Sequence, residues 1–186
     1  SLKNIFEIKS FIDKIINERA MKYENNGIHP KHRLIDYHKF FIDNIKDSEK
    51  ILDLGCGYGA VATSIAKNKT KSIIVGVDND KSRLDQAIKK NSLTNLSFIN
   101  ANIENNFKIG KFDVVIMSNV LEHMKNRKNI LSFIKEKIQP KKLLIRVPLY
   151  ERDWMVPFMD ELNIDYFLDD DHEIEHKILE FTEEME

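Results

Sequence analysis

The chain has 186 residues, of which 42% are hydrophobic and 32% are charged, a composition typical of a globular domain rather than a disordered segment. No apolar run approaches the roughly 20 residues that a membrane-spanning helix needs, and the N-terminus lacks the apolar core of a signal peptide. The single cysteine, Cys56, excludes an intrachain disulfide, so we expect a cytoplasmic protein with no membrane partner.

Charge is unevenly distributed along the chain, although the formal net charge is only −1. Residues 169–186 contain nine acids and one lysine, and the preceding 168 residues therefore carry a net charge of +7. Two interpretations stay open. The acidic segment is a solvated surface, or the basic body attracts an anionic substrate.

The first 48 residues show helical rather than strand periodicity. An amphipathic helix is predicted from Asn4 to Tyr23, followed by a stop at residues 25–27. Its apolar stripe consists of Ile5, Ile8, Phe11, Ile12, Ile15 and Ile16. Pro30 is suited to the first turn of a second helix. We expect that helix to direct Leu34, Phe41 and Ile45 inward.

From residue 51 onward, short apolar runs alternate with helical segments. Strands are predicted at 51–54, 72–77, 96–99, 112–117 and 142–147, with helices at 60–67, after the N-cap Asp80, and at 121–138. This alternation predicts an α/β fold with a doubly wound, mostly parallel sheet between two layers of helices. After residue 147 we expect helices near 154–162 and from about 173, with no strong strand.

Three of the six glycines, at positions 55, 57 and 59, follow the first strand and precede a helix. Glycine permits positive φ and lets a ligand approach the backbone, and a helix N-terminus presents free N–H groups. With Ala60 the turn matches G-x-G-x-x-G/A, and Asp78 lies where a ribose-binding acid is expected. A nicotinamide dinucleotide is therefore the first candidate ligand.

Asp53 argues against a dinucleotide, because it lies two positions before the first glycine. A carboxylate there would face the negative pyrophosphate at short range in a partly dry site. S-adenosylmethionine instead carries an α-ammonium and a sulfonium, and its ribose still suits Asp78. The charge of this one side chain favours the sulfonium cofactor.

The sequence resembles the class I S-adenosylmethionine-dependent methyltransferases in three motifs. These are D-L-G-C-G-Y-G at 53–59, G-V-D at 76–78, and F-D-V-V-I-M-S-N-V-L-E-H at 112–123, the last typical of the small-molecule type with an L-E-H signature. The resemblance implies a Rossmann-like fold in which residues 1–48 form a helical lid and 49–186 the cofactor-binding domain. Family members usually add two further strands, which this sequence does not supply. An uncompleted sheet edge would permit a homodimer.

The resemblance also implies roles for individual residues. Asp53 would bind the methionine end of the cofactor and Asp78 its ribose, and Ser118 would lie beside the sulfonium. Further cofactor contacts would come from Gly55, Cys56, Gly57, Tyr58, Asn79, Asn102 and Ile103. Asn102 replaces the acid that binds the adenine amino group in the family, and an amide oxygen can accept the same hydrogen bond.

Acceptor-side and catalytic residues are predicted in three stretches. In H-P-K-H-R-L-I-D-Y-H, at 29–38, we expect Tyr37 and His38 to reach the pocket and His29 or Arg33 to contact a small-molecule acceptor. The alternative is an amphipathic helix with solvent-exposed histidines. Arg146 after the fifth strand joins the acceptor-side residues, and His123 and His172 are the candidate catalytic bases, the alternative being hydrogen-bonded structural histidines.

Other chemistries fit the sequence less well. Residues 118–121 read S-N-V-L where amino-group nucleic-acid methyltransferases carry N/D-P-P-Y/F, so nucleic acid is an unlikely partner. Cys56 lies in the glycine turn, which disfavours a cysteine nucleophile. His172 and His176 lack the H-E-x-x-H pattern, and we predict no metal site. An NAD(P)-dependent oxidoreductase and a non-catalytic methyltransferase-fold domain remain the alternative functions.

Overall fold

A five-stranded parallel sheet forms the centre of the protein, as the alternating pattern predicts. The computed structural model describes residues 1–23, 29–105 and 108–186. The strands are β1 (Lys50–Leu54), β2 (Ile73–Asp78), β3 (Leu96–Asn100), β4 (Val114–Ser118) and β5 (Lys142–Arg146). Their order is β3-β2-β1-β4-β5, and every neighbouring pair is parallel. The chain reverses its direction of growth between β1 and β4, so their carboxyl ends flank a crevice suited to a ligand.

Eight α-helices accompany the sheet in the described residues. They are α1 (Leu2–Tyr23), α2 (Lys31–Leu34), α3 (His38–Asp43), α4 (Ala60–Asn68), α5 (Lys81–Lys89), α6 (Arg127–Phe133), α7 (Met155–Glu161) and α8 (Ile178–Met185). Asp80 caps α5 as predicted, because its side chain accepts hydrogen bonds from the N–H groups of Ser82 and Arg83. No helix in this part of the chain has the length and apolar character that crossing a bilayer requires.

Side-chain alternation along the strands divides the core into two layers, one on each face of the sheet. On one face, Ile51 and Ile116 pack with residues of α3 and α4 such as Phe41 and Ile65. On the other face, Leu52 and its neighbours pack against α6 and partly against α8. This period-2 division confirms the three-layer α/β/α architecture.

The N-terminal region differs from the sequence prediction in which face it buries. Helix α1 forms, but the predicted inward stripe lies on the surface, with exposed fractions from 41% at Ile15 to 64% at Ile5 and Phe11. Phe6 is the buried residue of this helix, and it packs with Met159 and Ile164. A helical period identifies an apolar face without identifying what covers it, and the described residues leave this face uncovered.

Two further helix predictions were wrong, the single helix after Pro30 and the start of the last helix, whereas 121–138 is mostly helical as predicted. The single helix expected after Pro30 is interrupted at Asp36, whose φ is +46°, so Leu34 is 69% exposed whereas Phe41 and Ile45 are buried as predicted. The segment 121–138 divides into a 3₁₀ turn, α6 and a π-helical turn at Ile134–Ile138, and the last helix begins at Ile178 rather than near 173. The predicted stop at 25–27 lies outside the described residues.

Candidate functional site

The glycine turn closes the carboxyl end of β1 against the carboxyl end of β2. The N–H groups of Gly55 and Cys56 both donate to the Val77 carbonyl oxygen, at 2.8 and 3.0 Å. Gly55, Gly57 and Gly59 all have positive φ, between 53° and 71°. Every second residue from 55 to 59 therefore adopts a left-handed backbone conformation, which residues other than glycine rarely adopt.

The glycines differ in what surrounds them. A Cβ on Gly55 would lie 2.5 Å from Cγ2 of Val120, so that position is closed by the protein itself. A Cβ on Gly57 would meet nothing within 4 Å, and Gly57 lines a cavity. The open space at Gly57 is where a ligand can contact bare backbone.

Asp53 is a buried acid whose carboxylate is incompletely satisfied. It is 1% exposed, and its Oδ2 has no hydrogen-bond partner in the described structure. Burial raises the pKa of Asp53 to about 7, the nearby charge of Asp78 adds to the rise, and a backbone hydrogen bond at Ala62 opposes it. A buried oxygen without a partner is costly, so this site fits a ligand that brings a cation or a hydrogen-bond donor.

Asp78, at the end of β2, connects the two strand ends. Its Oδ2 accepts from the Gly57 N–H at 2.7 Å, and its Oδ1 accepts from the Asp80 N–H at 2.8 Å. The side chain is 7% exposed and lines a cavity with Asn79 and Asn102. Each carboxylate oxygen retains acceptor capacity, so Asp78 can hold the turn and still bind a hydroxyl.

Two cavities open on either side of the turn. The first, the Asp53 cavity, has a volume of about 550 Å³, and the second, the Asp78 cavity, about 320 Å³. Gly55 and Asn119 line both, so the two cavities meet at these residues. Volumes of this size suit a nucleoside-containing cofactor together with a small molecule.

The structure brings most of the predicted site residues together. The Asp53 cavity is lined by His29, Tyr37, Asp53, Gly55, Cys56, Gly57, Tyr58, Ser118 and Arg146. The Asp78 cavity is lined by Gly55, Asp78, Asn79, Asn102, Ile103 and His123. Arg33, His38 and His172 line neither. The Oδ1 of Asn102 already accepts from the Glu104 N–H at 2.9 Å, as in an ordinary asparagine turn.

Arg146 forms one wall of the Asp53 cavity through contacts with two other lining residues. Its guanidinium carbon lies 4.2 Å from the centroid of the Tyr37 ring, and its Nη1 donates to Oδ1 of Asn119. Asn119 has a φ of +56° and its N–H donates to the Arg146 carbonyl oxygen. Sequence reasoning missed Asn119, although an asparagine directly after a strand that ends at the site is a recognisable left-handed turn residue.

A connected group of rings covers the same cavity from the N-terminal side. The Tyr37 hydroxyl lies 2.7 Å from Nδ1 of His32, and Nε2 of His38 lies 2.9 Å from the same nitrogen. Burial, and then the neighbouring His38, lower the pKa of His32 to about 4. Burial raises the pKa of Tyr37 to about 12, with Arg146 opposing and Asp53 adding to the rise. Both rings are therefore uncharged at neutral pH.

His38 packs against the His32 and Tyr37 rings and is 8% exposed. His32 lines the cavity, whereas sequence reasoning counted it in the histidine cluster without giving it a role. The spacing of His32 and His38 in the sequence could have indicated this role, because six residues with a break at Asp36 bring the two rings together.

The predicted catalytic histidines lie in a separate group with Glu122. Possible ligand atoms of Glu122, His123 and His172 all lie within 4.8 Å of one another. Glu122 is fully buried with both carboxylate oxygens unpartnered in the described residues, and burial raises its pKa to about 7. Burial opposes the charged form of His172, but the hydrogen bond and charge of Glu175 outweigh it and raise the pKa of His172. These donor types suit a divalent metal, and the expectation of no metal site stays a prediction.

Cys56 has a packing role in the turn. Its sulfur would lie 2.8 Å from a Cβ on Gly76, and burial raises the pKa of the thiol. A protonated, enclosed thiol is a poor nucleophile, in agreement with the sequence interpretation of Cys56 as a turn residue.

A parallel Rossmann-like sheet, a glycine turn after its first strand and an unpaired acid beside that turn together define a cofactor-binding α/β domain. Residues 45–165 match the methyltransferase domain family, and the chain belongs to that family. The methyltransferase class that the sequence motifs resemble is thereby confirmed.

Comparisons with individual proteins agree with the family. The chain is 33% identical over 95 residues to (S)-coclaurine N-methyltransferase of Thalictrum flavum subsp. glaucum, which covers 50% of this chain and 26% of that enzyme. It is 29% identical over 114 residues to ubiquinone biosynthesis O-methyltransferase of Rickettsia bellii, covering 60% and 46% respectively. The chain thus spans between a quarter and a half of the length of these relatives.

A solved structure shows the same fold. The crystal structure of coclaurine N-methyltransferase bound to N-methylheliamine and SAH superposes with a TM-score of 0.57 at 24% identity. The superposition covers 67% of this chain and 42% of that one.

Proposed function

We propose that this chain is an S-adenosylmethionine-dependent methyltransferase domain that acts on a small-molecule acceptor. The observation that carries the proposal is the buried Asp53, whose Oδ2 has no partner in the described structure. A cationic cofactor would compensate this acid, whereas a pyrophosphate would add a second negative charge beside it. The named relatives are methyltransferases, and one solved neighbour is bound to SAH, the demethylated cofactor.

The two cavities suggest how the cofactor would be divided between them. Asp53, Gly55, Cys56 and Gly57 would hold the methionine end in the Asp53 cavity, with Tyr58 and Ser118 beside it. Asp78 would bind the ribose hydroxyls, and Asn79, Asn102 and Ile103 would flank the adenine in the Asp78 cavity. When bound, the cofactor supplies an electrophilic methyl group on a sulfonium.

This chain's own contribution to the reaction is to orient an acceptor and to receive its proton where one is lost. Tyr37 and Arg146 are the wall against which we place the acceptor, because both line the Asp53 cavity and fix each other. Residues 1–48 would act as the lid that excludes water from this cavity. Arg33 and His38 lie outside the cavity lining, so we assign His38 to supporting the lid.

His32 lines the Asp53 cavity and is neutral at pH 7, so it can hydrogen-bond an acceptor there, whereas its pKa of about 4 makes it a weak base. One nitrogen, Nδ1, faces both the Tyr37 hydroxyl and Nε2 of His38, and a single lone pair cannot accept from two donors well. Nδ1 is thus occupied by Tyr37 and His38, and Nε2 is the nitrogen of His32 that can hydrogen-bond an acceptor. His123 and His172 instead face Glu122 and Glu175, away from the Asp53 cavity lining.

Calorimetry with S-adenosylmethionine and with NADH tests the cofactor. We expect the sulfonium cofactor to bind and NADH not to bind, and we expect Asp53→Asn to weaken binding at least tenfold because it removes the compensating charge. The matched control is Asp85→Asn on the exposed face of α5, where the acid pairs with Lys81. Binding of NADH alone would favour the oxidoreductase, and binding of neither would favour a non-catalytic domain.

The edge of the sheet supports a separate proposal about assembly. Strand β5 pairs with β4 on one side, and no strand of the described chain pairs with its other side. An open edge can pair with a second copy, so we propose a homodimer through β5. Light scattering of the purified chain with Leu143→Pro would test it, because the N–H of Leu143 points away from β4 whereas that of Lys142 faces β4. If the variant and the parent had the same mass in solution, this result would contradict a dimer through β5.

A further inference from the structure

A third cavity, the α1 groove, extends the Asp53 cavity along the N-terminal helix. It has a volume of about 560 Å³ and lies between α1, α7 and residues 166–170. Asn17 and Met21 on α1, and Leu168 and Asp169 opposite them, line both cavities. Because the two cavities share residues on both walls, they form one cleft that runs from Asp53 to α7.

Part of the lining of the α1 groove consists of apolar side chains that can adjust to the shape of a ligand. The apolar lining residues are Met155, Val156 and Met159 of α7 and Phe167 and Leu168 of segment 166–170. Phe167 and Leu168 are 39% and 47% exposed, so they retain apolar surface that a ligand can cover. Methionine side chains fit irregular apolar shapes without a fixed geometry. The groove therefore suits the apolar body of a ligand.

The charges of the α1 groove are predominantly acidic. Its lining contains the three basic residues Lys9, Lys14 and Arg152 and the five acidic residues Asp13, Glu18, Asp153, Asp169 and Asp170. Each basic residue already has an acidic partner: Lys9 pairs with Asp13 at 2.6 Å, Lys14 with Asp170 at 2.5 Å, and Arg152 with Glu175.

Two of the acids have no such partner. Within the described residues no cation lies within ion-pair distance of Glu18 or Asp153. At the other end of the cleft, Lys31 and Arg146 line the Asp53 cavity. Asp53 and Asp169 line that cavity as well, so its charges balance, whereas the α1 groove has more carboxylates than cations.

We propose that the α1 groove is a second acceptor subsite, which binds the apolar body of an elongated acceptor whose distal end is cationic. This inference deepens the proposed function, since it names the class of acceptor that the same cleft takes. A ligand spanning both cavities would place its reacting group beside Arg146 and its cation near Asp153, which lines the α1 groove and not the Asp53 cavity. An anionic distal end would meet uncompensated carboxylates.

Binding of simple amphiphiles tests the subsite without any turnover. The probes are decyltrimethylammonium, decyl sulfate and tetramethylammonium, each below its micelle concentration, titrated into the full chain by calorimetry. We expect decyltrimethylammonium to bind at least fivefold tighter than decyl sulfate, and tetramethylammonium not to bind measurably. Equal or tighter binding of decyl sulfate, or no binding of the cationic amphiphile, would overturn the proposal.

Matched variants locate the bound probe. Asp153→Asn should weaken the cationic amphiphile at least threefold, and Phe167→Ala should weaken it further, because each removes a lining group. The controls are Glu7→Gln and Phe11→Ala, which change exposed residues of α1 that do not line the groove. Equal losses in the control variants would place the probe on the outer face of α1 and refute the subsite.

Cofactor calorimetry on the same variants separates this inference from the proposed function. Asp153→Asn and Phe167→Ala should bind S-adenosylmethionine like the parent. Normal cofactor binding with no preference among the amphiphiles would defeat the subsite alone, whereas absent cofactor binding by the parent would defeat the proposed function.

Discussion

The Oδ2 of Asp78 accepts a hydrogen bond from the backbone N–H of Gly57 at 2.7 Å, across 21 positions of sequence. The bond fixes the middle of the glycine turn to the end of β2, and Oδ1 holds the Asp80 N–H at the same time. One side chain therefore sets the shape of the turn and lines the Asp78 cavity. Loss of this carboxylate would affect folding and binding together.

Substitution of Asp78 by Asn should destabilise the protein by about 1–3 kcal/mol, because an amide has one acceptor oxygen for two backbone donors. Urea unfolding measures the change. Asp85→Asn, at an exposed position with one lysine partner, should lie within about 0.5 kcal/mol of the parent. Equal stability of the Asp78 variant and the parent would show that the turn does not depend on these two bonds.

The glycines should respond differently to alanine. Gly57→Ala places its Cβ in open space, so we expect only the cost of a positive φ, about 1–2 kcal/mol, with a large loss of cofactor affinity. Gly55→Ala meets Val120 at 2.5 Å and should unfold the turn as well. Thermal unfolding and calorimetry of both variants check this. A Gly57 variant with unchanged cofactor affinity would contradict placement of the ligand at that backbone.

Asp53 gives the unliganded protein a pH dependence whose sign follows from its pKa of about 7. Between about pH 4 and 7 the folded state binds more protons than the unfolded state, so the free energy of unfolding contributed by Asp53 falls as pH rises. Asp53→Asn removes this contribution and should exceed the parent in stability at pH 8 by about 2–4 kcal/mol, since one pKa unit corresponds to about 1.4 kcal/mol.

The difference between parent and Asp53→Asn is the quantity to measure, by urea unfolding at several pH values. Glu122, whose pKa is also raised to about 7, cancels in that difference, as does the lowered pKa of His32. The two curves should converge near pH 4. A difference that stays constant from pH 4 to 8 would argue against burial of an ionisable Asp53.

Phe6 should attach α1 to the rest of the domain. It is 6% exposed, its ring centroid lies 6.1 Å from that of Phe158, and it contacts a small cluster with Met159. Phe6→Ala should cost about 2–4 kcal/mol locally and speed tryptic cleavage within α1. Phe11→Ala removes a ring that is 64% exposed and should leave the cleavage rate unchanged. Similar rates for the two variants would show that Phe6 does not hold the helix.

Sequence periodicity predicted the sheet because its strands are buried on both faces, which leaves continuous apolar runs such as 73–77. It failed for the N-terminal region, where burial depends on distant partners. The stripe from Ile5 to Ile16 has the correct period but lies on the surface, and Leu34 is exposed because Asp36 breaks the helix.

The cofactor side of the site was predictable to a greater extent than the acceptor side. Glycines at alternate positions predict a turn with positive φ, and this pattern is visible in the sequence. An acid at the end of each of two strands is also visible there and is typical of a cofactor site. His32, Asn119 and Asp169 were missed or given no role, because their importance comes from neighbours supplied by other elements.

By itself, the sequence determined the order of strands and helices, the position of the glycine turn and the charge of Asp53, since each depends on local residue chemistry. Only the tertiary structure decided that Oδ2 of Asp53 has no partner among the described residues, that Arg146 lies against Tyr37, and that the cleft continues beside α1. Those features depend on how separate elements meet, and local patterns do not record that geometry.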